Sequence, residues 1–210
     1  MITVEVDGVQ YDQFISVEIG MSLSAIARDF NLTVAQPDGT VLPFKGGEEI
    51  KIFIDGEVRL DGSIFTVSPS YSKDSHQVVM TGRSKVADLI DSTLLPFTIS
   101  SDISLKGVIE QVIAQIGLDL TVTNEIPDLA NFNPAEDKIS AEPGDNAFTF
   151  IDTLARKRQV LLTSDPAGNI IITRNGTQQN PVTLLNPGRG TGGNIKSAQV
   201  AYNLTRRFNK

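Results

Sequence analysis

Three Asp-Gly pairs, Asp7-Gly8, Asp55-Gly56 and Asp61-Gly62, stand beside apolar residues that recur at every second position. This combination constrains the fold most. Asp before Gly favours the positive φ angles of a tight hairpin, and period-two alternation gives a strand one apolar face. Ile2, Val4 and Val6 alternate ahead of the first pair, and Ile15, Val17 and Ile19 follow it. Ile50, Ile52 and Ile54 lead into the second pair. Val58-Arg59-Leu60 and Ile64-Phe65-Thr66-Val67 flank the third, and Val78-Val79-Met80 is a further strand candidate. Short strands joined by glycine turns predict a small barrel or sandwich rather than a parallel sheet. One short helix is expected among them. Leu23, Ile26, Ala27 and Phe30 fall at i, i+3, i+4 and i+7, with Ser22 as its N-cap.

The middle of the chain changes period. Ser84 can cap a short helix that turns Val86, Leu89 and Ile90 inward. Ser104 can cap a stronger one, whose apolar stripe runs through Leu105, Val108, Ile109, Val112, Ile113 and Ile116. Gly117 follows where a left-handed residue ends a helix. Leu118, Leu120 and Val122 alternate as a strand, and residues 124–143, with Pro127, Pro134 and Pro143, read as a loop. Asp145 is expected to open a third helix that shares Ala147, Ile151, Leu154 and Ala155 on one face, beside Phe148 and Phe150. Arg156, Lys157 and Arg158 lie in its last turns, where cations suit the helix dipole. Val160–Thr163, the turn Asp165–Asn169 and Ile170–Thr173 then read as a hairpin. Beyond Asn175, Gly188–Gly193 (GRGTGG) reads as a flexible connection, Ile195–Leu204 as a last strand, and the end, TRRFNK, is basic.

Composition narrows the chemistry. The chain has 210 residues, an apolar fraction of 40% and no cysteine, so it can bury a core and carries neither disulfides nor cysteine-based zinc sites. A net charge of −7 argues against sequence-independent grip on a phosphate backbone. An ordinary acidic surface accounts for that charge, and a surface that lets DNA slide past is the second reading. No apolar run is long enough to span a bilayer, and the opening residues do not form a signal peptide.

The lone histidine, His76, sits in a polar stretch, and its sequence neighbours do not supply the geometry of a catalytic triad. One histidine without cysteine leaves too few zinc ligands, and no calcium-loop pattern is present. Asp55 and Asp61, with Glu57, could pair as acid and base, but turn formation explains the two aspartates more simply. Asp88 and Asp91 fit a solvated helix face, and Arg156, Lys157 and Arg158 fit a helix terminus. GRGTGG lacks the Gly-Lys-Ser/Thr ending of a phosphate loop. No residue is assigned a catalytic, cofactor-binding or metal-binding role, and no cofactor is expected.

The order of several motifs carries a resemblance. Gly144-Asp145, Phe148 and Ile151-Asp152-Thr153-Leu154-Ala155-Arg156, followed by the 160–174 hairpin, resemble a helix-and-hairpin of phage hub proteins and of the N-terminal part of VgrG spikes. Thr81-Gly82-Arg83-Ser84, then Ala87-Asp88-Leu89-Ile90-Asp91-Ser92, look like the Mu-type hubs in particular. So does the opening, Val6-Asp7-Gly8 with Tyr11, Phe14 and Val17. The chain thus resembles the Mu-type baseplate hub proteins of contractile tails, a family that includes late control protein D.

The resemblance implies an α+β, mainly β fold: two small tube-like β-barrel domains decorated with short helices. Residues 1–83 are expected to be the first barrel domain, 84–180 a second α+β domain, and 181–210 a return segment towards the first. The resemblance further implies a non-enzymatic homotrimer in the virion baseplate that adapts a sixfold tail tube to a threefold spike. Its partners would be itself, the tube protein, the central spike protein and other baseplate proteins, with DNA passing through a central channel. Neither sequence-specific nucleic-acid binding nor stable membrane insertion is implied. Family members are usually longer, so the chain is expected to be a fragment or a shortened relative. A tail-associated cell-wall hydrolase and a peptidoglycan-binding module are the competing readings.

Overall fold

The expected alternation becomes strands where it is longest. In the computed structural model, which describes residues 2–11, 14–22, 25–35, 44–71 and 76–174, seven antiparallel strands form the first sheet. They are β1 (Ile2–Val6), β2 (Val9–Tyr11), β3 (Phe14–Ser22), β4 (Ala25–Ala35), β5 (Glu49–Ile54), β6 (Glu57–Tyr71) and β7 (His76–Ser84), in the order β2-β1-β5-β6-β7-β4-β3. Two of the Asp-Gly pairs make the expected turns. Asp7 and Gly8 have φ of 46° and 80°, and Asp55 and Gly56 have 53° and 81°.

The order dictates curvature. β2 and β3 occupy opposite ends of the sheet, yet two residues separate them in the chain. Seven flat strands would set their outer members about 29 Å apart. Three peptide steps reach at most about 11 Å. The sheet must therefore curl until its ends approach, and it forms a half-barrel. Register shifts between Ile52 and Phe53, between Ile64 and Thr66, and twice along β3 sharpen the bend.

Alternation also fixes the first core. Val4, Ile52 and Leu60 are register partners across three strands, and Leu32 faces Met80, which faces Val67. Val6, Phe30, Val34, Ile50, Ile64 and Val78 complete the buried face. Each such side chain contributes about 1.5–3 kcal/mol on burial.

The second half is α+β. Helices α1 (Ala87–Asp91), α2 (Leu105–Ile116) and α3 (Ala147–Lys157) pack with β9 (Val122–Asn124), β11 (Leu161–Ser164) and β12 (Ile170–Thr173). β11 and β12 form the expected hairpin, and β9 pairs in parallel with β12. A two-stranded ladder, β8 (Phe97–Thr98) with β10 (Ser140–Ala141), lies beside them. The α2 stripe is buried from Leu105 to Ile113. The Ser104 hydroxyl accepts from the Gly107 amide at 3.1 Å, and Gly117 ends the helix at φ 73°. In α3 the expected face is buried as well. All described residues belong to one compact unit, Met1–Asn175.

Five local expectations are corrected. Residues 25–35 are strand, not helix: Phe30, Leu32 and Val34 keep period two in the sheet core, while Ile26 is buried in the other core. The helical spacing of Leu23, Ile26, Ala27 and Phe30 was coincidental. Asp61-Gly62 is not a turn, because both residues pair within β6. Ser84 ends β7 and caps nothing; α1 follows Val86 without a side-chain cap. Asn146, not Asp145, caps α3 and accepts from the Thr149 amide at 2.9 Å. The Asp145 carboxylate instead closes the preceding turn on the Glu142 amide. The strand read from Leu118 begins only at Val122. GRGTGG, the strand over Ile195–Leu204 and the basic end lie outside the described residues.

Candidate assembly interface

Among the described residues, β3 pairs with β4 alone and β2 with β1 alone. Each leaves a row of backbone donors and acceptors on its far side, which is a template for another strand. Charges and bulges both keep edge strands from pairing; β3 carries one charge, Glu18, in nine residues, and two register shifts near its ends. Exposed apolar side chains accompany both edges: Ile15 and Met21 on β3, 53% and 73% exposed, and Ile2 and Val9 near β2.

Behind them lies a polar joint between the sheet and the helical half. The Arg28 amide donates to the Ser84 hydroxyl at 3.0 Å. Its guanidinium donates to the Arg59 carbonyl at 3.1 Å and to the Ser164 carbonyl at 3.0 Å. The buried Ser164 hydroxyl donates to the Ile26 carbonyl at 2.6 Å. Burial lowers the Arg28 pKa from its ordinary value, and the charge of Asp165 opposes that shift. Close by, Lys85 Nζ meets the buried Asp61 carboxylate at 2.9 Å, and the Lys85 amide donates to the Asp61 carbonyl. Arg28, Lys85 and Ser164 carry no local sequence signal. Only the long-range pairing of β4 and the approach of β11 bring them together.

The residues weighed for chemistry are dispersed. His76 opens β7 opposite Tyr71. Asp55 stays in its turn, and Glu57 pairs with Arg59 at 2.8 Å on the surface. Asp61 stands four residues along β6 from Glu57, about 13 Å away at strand rise, beyond the carboxylate spacing of glycosidases. Asp91 accepts from Arg83, whose guanidinium also lies over the Phe65 ring. In the Arg156–Arg158 cluster, Arg156 and Lys157 are exposed and Arg158 is half-buried. Arg156 pairs with Asp152, and Arg158 donates to the Ala130 and Asn131 carbonyls and to Asp137 at 2.7 Å while lying over the Phe132 ring. Arg158 thereby holds the 130–137 loop on α3. Phe150 stacks edge-on against Phe97, as a packing anchor.

A cleft of about 320 Å³ runs beside α3, lined by Lys138, Asn146, Thr149, Phe150, Thr153 and Lys157. Its threonine hydroxyls are engaged with Asn146 and with the helix backbone. Among the described residues, no cluster of three His, Cys, Asp or Glu side chains is placed to hold a metal, and no helix is long and apolar enough to cross a membrane.

A curled sheet, whose end strands each have one partner among the described residues and which is tied to a helical half through a polar joint, defines a β-rich protein. Comparison with known proteins makes this specific. Residues 1–84 match the N-terminal domain of Mu phage baseplate assembly protein GpP-like proteins, and residues 86–174 match the second domain of baseplate hub protein gp44-like proteins. The chain belongs to the Mu-type baseplate hub family of phage tail structural proteins. It is 28% identical over 181 residues to baseplate hub protein gp44 of Escherichia phage Mu, covering 82% of this chain and 45% of that one. The crystal structure of a 43 kDa tail protein of prophage MuSo2 from Shewanella oneidensis superposes with a TM-score of 0.75 at 27% identity, over 87% of this chain and 57% of that one. A tail protein from Neisseria meningitidis MC58 shares the fold, with a TM-score of 0.68 at 19% identity, over 81% and 49% of the two chains. This chain thus spans about half the length of these relatives. The mainly β fold with barrel-like curvature and few helices matches expectation.

Proposed function

We propose that this chain is a subunit of a homotrimeric hub at the tail baseplate, adapting a sixfold tube to a threefold spike around a channel for DNA. One observation carries the reading. The half-barrel presents the long, nearly uncharged edge of β3 with Ile15 and Met21 exposed. A ring closes when each copy offers the same complementary pair of surfaces, and a strand edge can serve as one of them. The net charge of −7 suits a lumen that does not retain phosphate. In this reading residues 1–83 and 84–180 are two hub domains, and tube, spike and other baseplate proteins are the partners. The protein acts by assembly and not by catalysis.

The test exploits the absence of cysteine. Ile15→Cys introduces a single thiol for a benzophenone photo-cross-linker at the β3 edge. A ladder ending at three subunits is expected. A chain that stays monomeric at all concentrations, with the label at Ile15 or at Met21, contradicts the trimer. Peptidoglycan incubated with the chain should remain intact, and its cleavage would return the hydrolase reading.

A further inference from the structure

We propose that Arg28, Asp61, Ser84, Lys85 and Ser164 form a latch that fixes the angle between the half-barrel and the helical half, so that the two act as one preset wedge. Lys85 is the single residue between the two family-matched segments. A linker residue ordinarily lies free in solvent. This one is held at three points. Its amide donates to the Asp61 carbonyl at 3.0 Å, and its ammonium meets the Asp61 carboxylate at 2.9 Å. The turn at Gly168, with φ of 81°, lies so close that a methyl group there would meet the Lys85 Cβ at 3.1 Å.

Asp61 is 7% exposed, and its second carboxylate oxygen has no partner. Lys85 is thus the charge that makes this burial tolerable. Removing one member of a buried pair is far more disruptive than removing both.

The second fastening shares no side chain with the first but opens with it. Arg28 ties β6, β7 and β11 together through the Arg59 carbonyl, the Ser84 hydroxyl and the Ser164 carbonyl. The Ser164 hydroxyl returns a buried bond to the Ile26 carbonyl. Ile26 itself leaves the sheet core and is buried among the helices, so β4 is shared by both halves. A swivelling joint would have to expose Ile26 and break both fastenings together. The latch is a property of the single chain and stands apart from the number of copies in the ring.

Residue-resolved hydrogen exchange on the full chain tests it. In the unaltered protein the Lys85 and Arg28 amides are expected to be protected. Lys85→Met leaves Asp61 buried and unpaired, and should speed both amides about tenfold while leaving Leu32 and Val108 unchanged. The double variant Asp61→Leu/Lys85→Met should return them towards the original rate. If Lys85→Met unfolds the whole chain, Ser164→Ala replaces it, with faster exchange again expected at Arg28 and not at Leu32. Joint amides that exchange like those of exposed loops in the unaltered protein overturn the latch. So do Lys85→Met and Ser164→Ala variants that exchange at the original rates.

Discussion

Tyr11 and Phe14 lie in strands at opposite ends of a seven-strand hydrogen-bonded order, although two residues of chain separate them. This relationship is what converts an antiparallel sheet into a curved wall. Glycines permit the close approach where β6 and β7 cross. A methyl group at Gly62 would run into the Arg83 carbonyl and the Ser84 backbone, and one at Gly82 into the Ser63 carbonyl and the Phe30 ring.

Gly62→Ala and Gly82→Ala are each expected to destabilise the chain by about 1–3 kcal/mol, since backbone and a packed ring must shift. Gly8→Ala meets no neighbour and suffers only from its positive φ, so its cost should be smaller, about 1 kcal/mol. Urea midpoints of the three variants give the ranking. Equal costs would mean that the crossing is looser than the geometry indicates.

The exposed side chains of β3 separate assembly from folding. Ile15→Lys and Met21→Lys should leave unfolding free energy within about 0.5 kcal/mol of the original, because neither side chain is buried. The same charges on a strand edge oppose pairing with another chain. Complementation of a tail-defective phage should therefore fall while thermal unfolding stays constant. Full complementation by both variants would remove the β3 edge from the interface.

What was legible in the sequence was local. Asp7-Gly8 and Asp55-Gly56 announce their turns because only such residues take those φ values cheaply. The α2 stripe and its Ser104 and Gly117 ends are likewise written in consecutive residues. Asp61-Gly62 is the same dipeptide, yet β7 decides its fate: Gly62 admits the Arg83 carbonyl, and Asp61 receives Lys85. Residues 25–35 failed as a helix for a related reason. Ile26 and Phe30 serve two cores, and helical spacing cannot distinguish two partners from one face. The joint was illegible because Arg28 and Ser164 are 136 residues apart. The family was readable because the order of its motifs survives where each motif alone is ordinary.

Acid should loosen one loop before the cores. The Arg158 guanidinium holds the Asp137 carboxyl below its ordinary value of 3.8 through a hydrogen bond. A carboxylate depressed in the folded state contributes stability that is complete above its unfolded value and is lost as pH falls through the folded one. The 130–137 loop should stay fastened at neutral pH and release only below about pH 3.8. Amide chemical shifts of Asn133 and Asp137 followed through an acid titration read the release. Arg158→Met should reduce the depression, and an unchanged Asp137 titration in that variant would refute the assignment.

The proposed threefold ring on the tail axis is tested by cryo-electron microscopy of tail particles that carry this chain. Residues 2–174 are expected to fit, in three copies, a ring of density that encloses a channel between tube and spike, with β3 edges at the contacts between copies. Placement of the chain off the axis, or in a ring of another stoichiometry, would contradict the account.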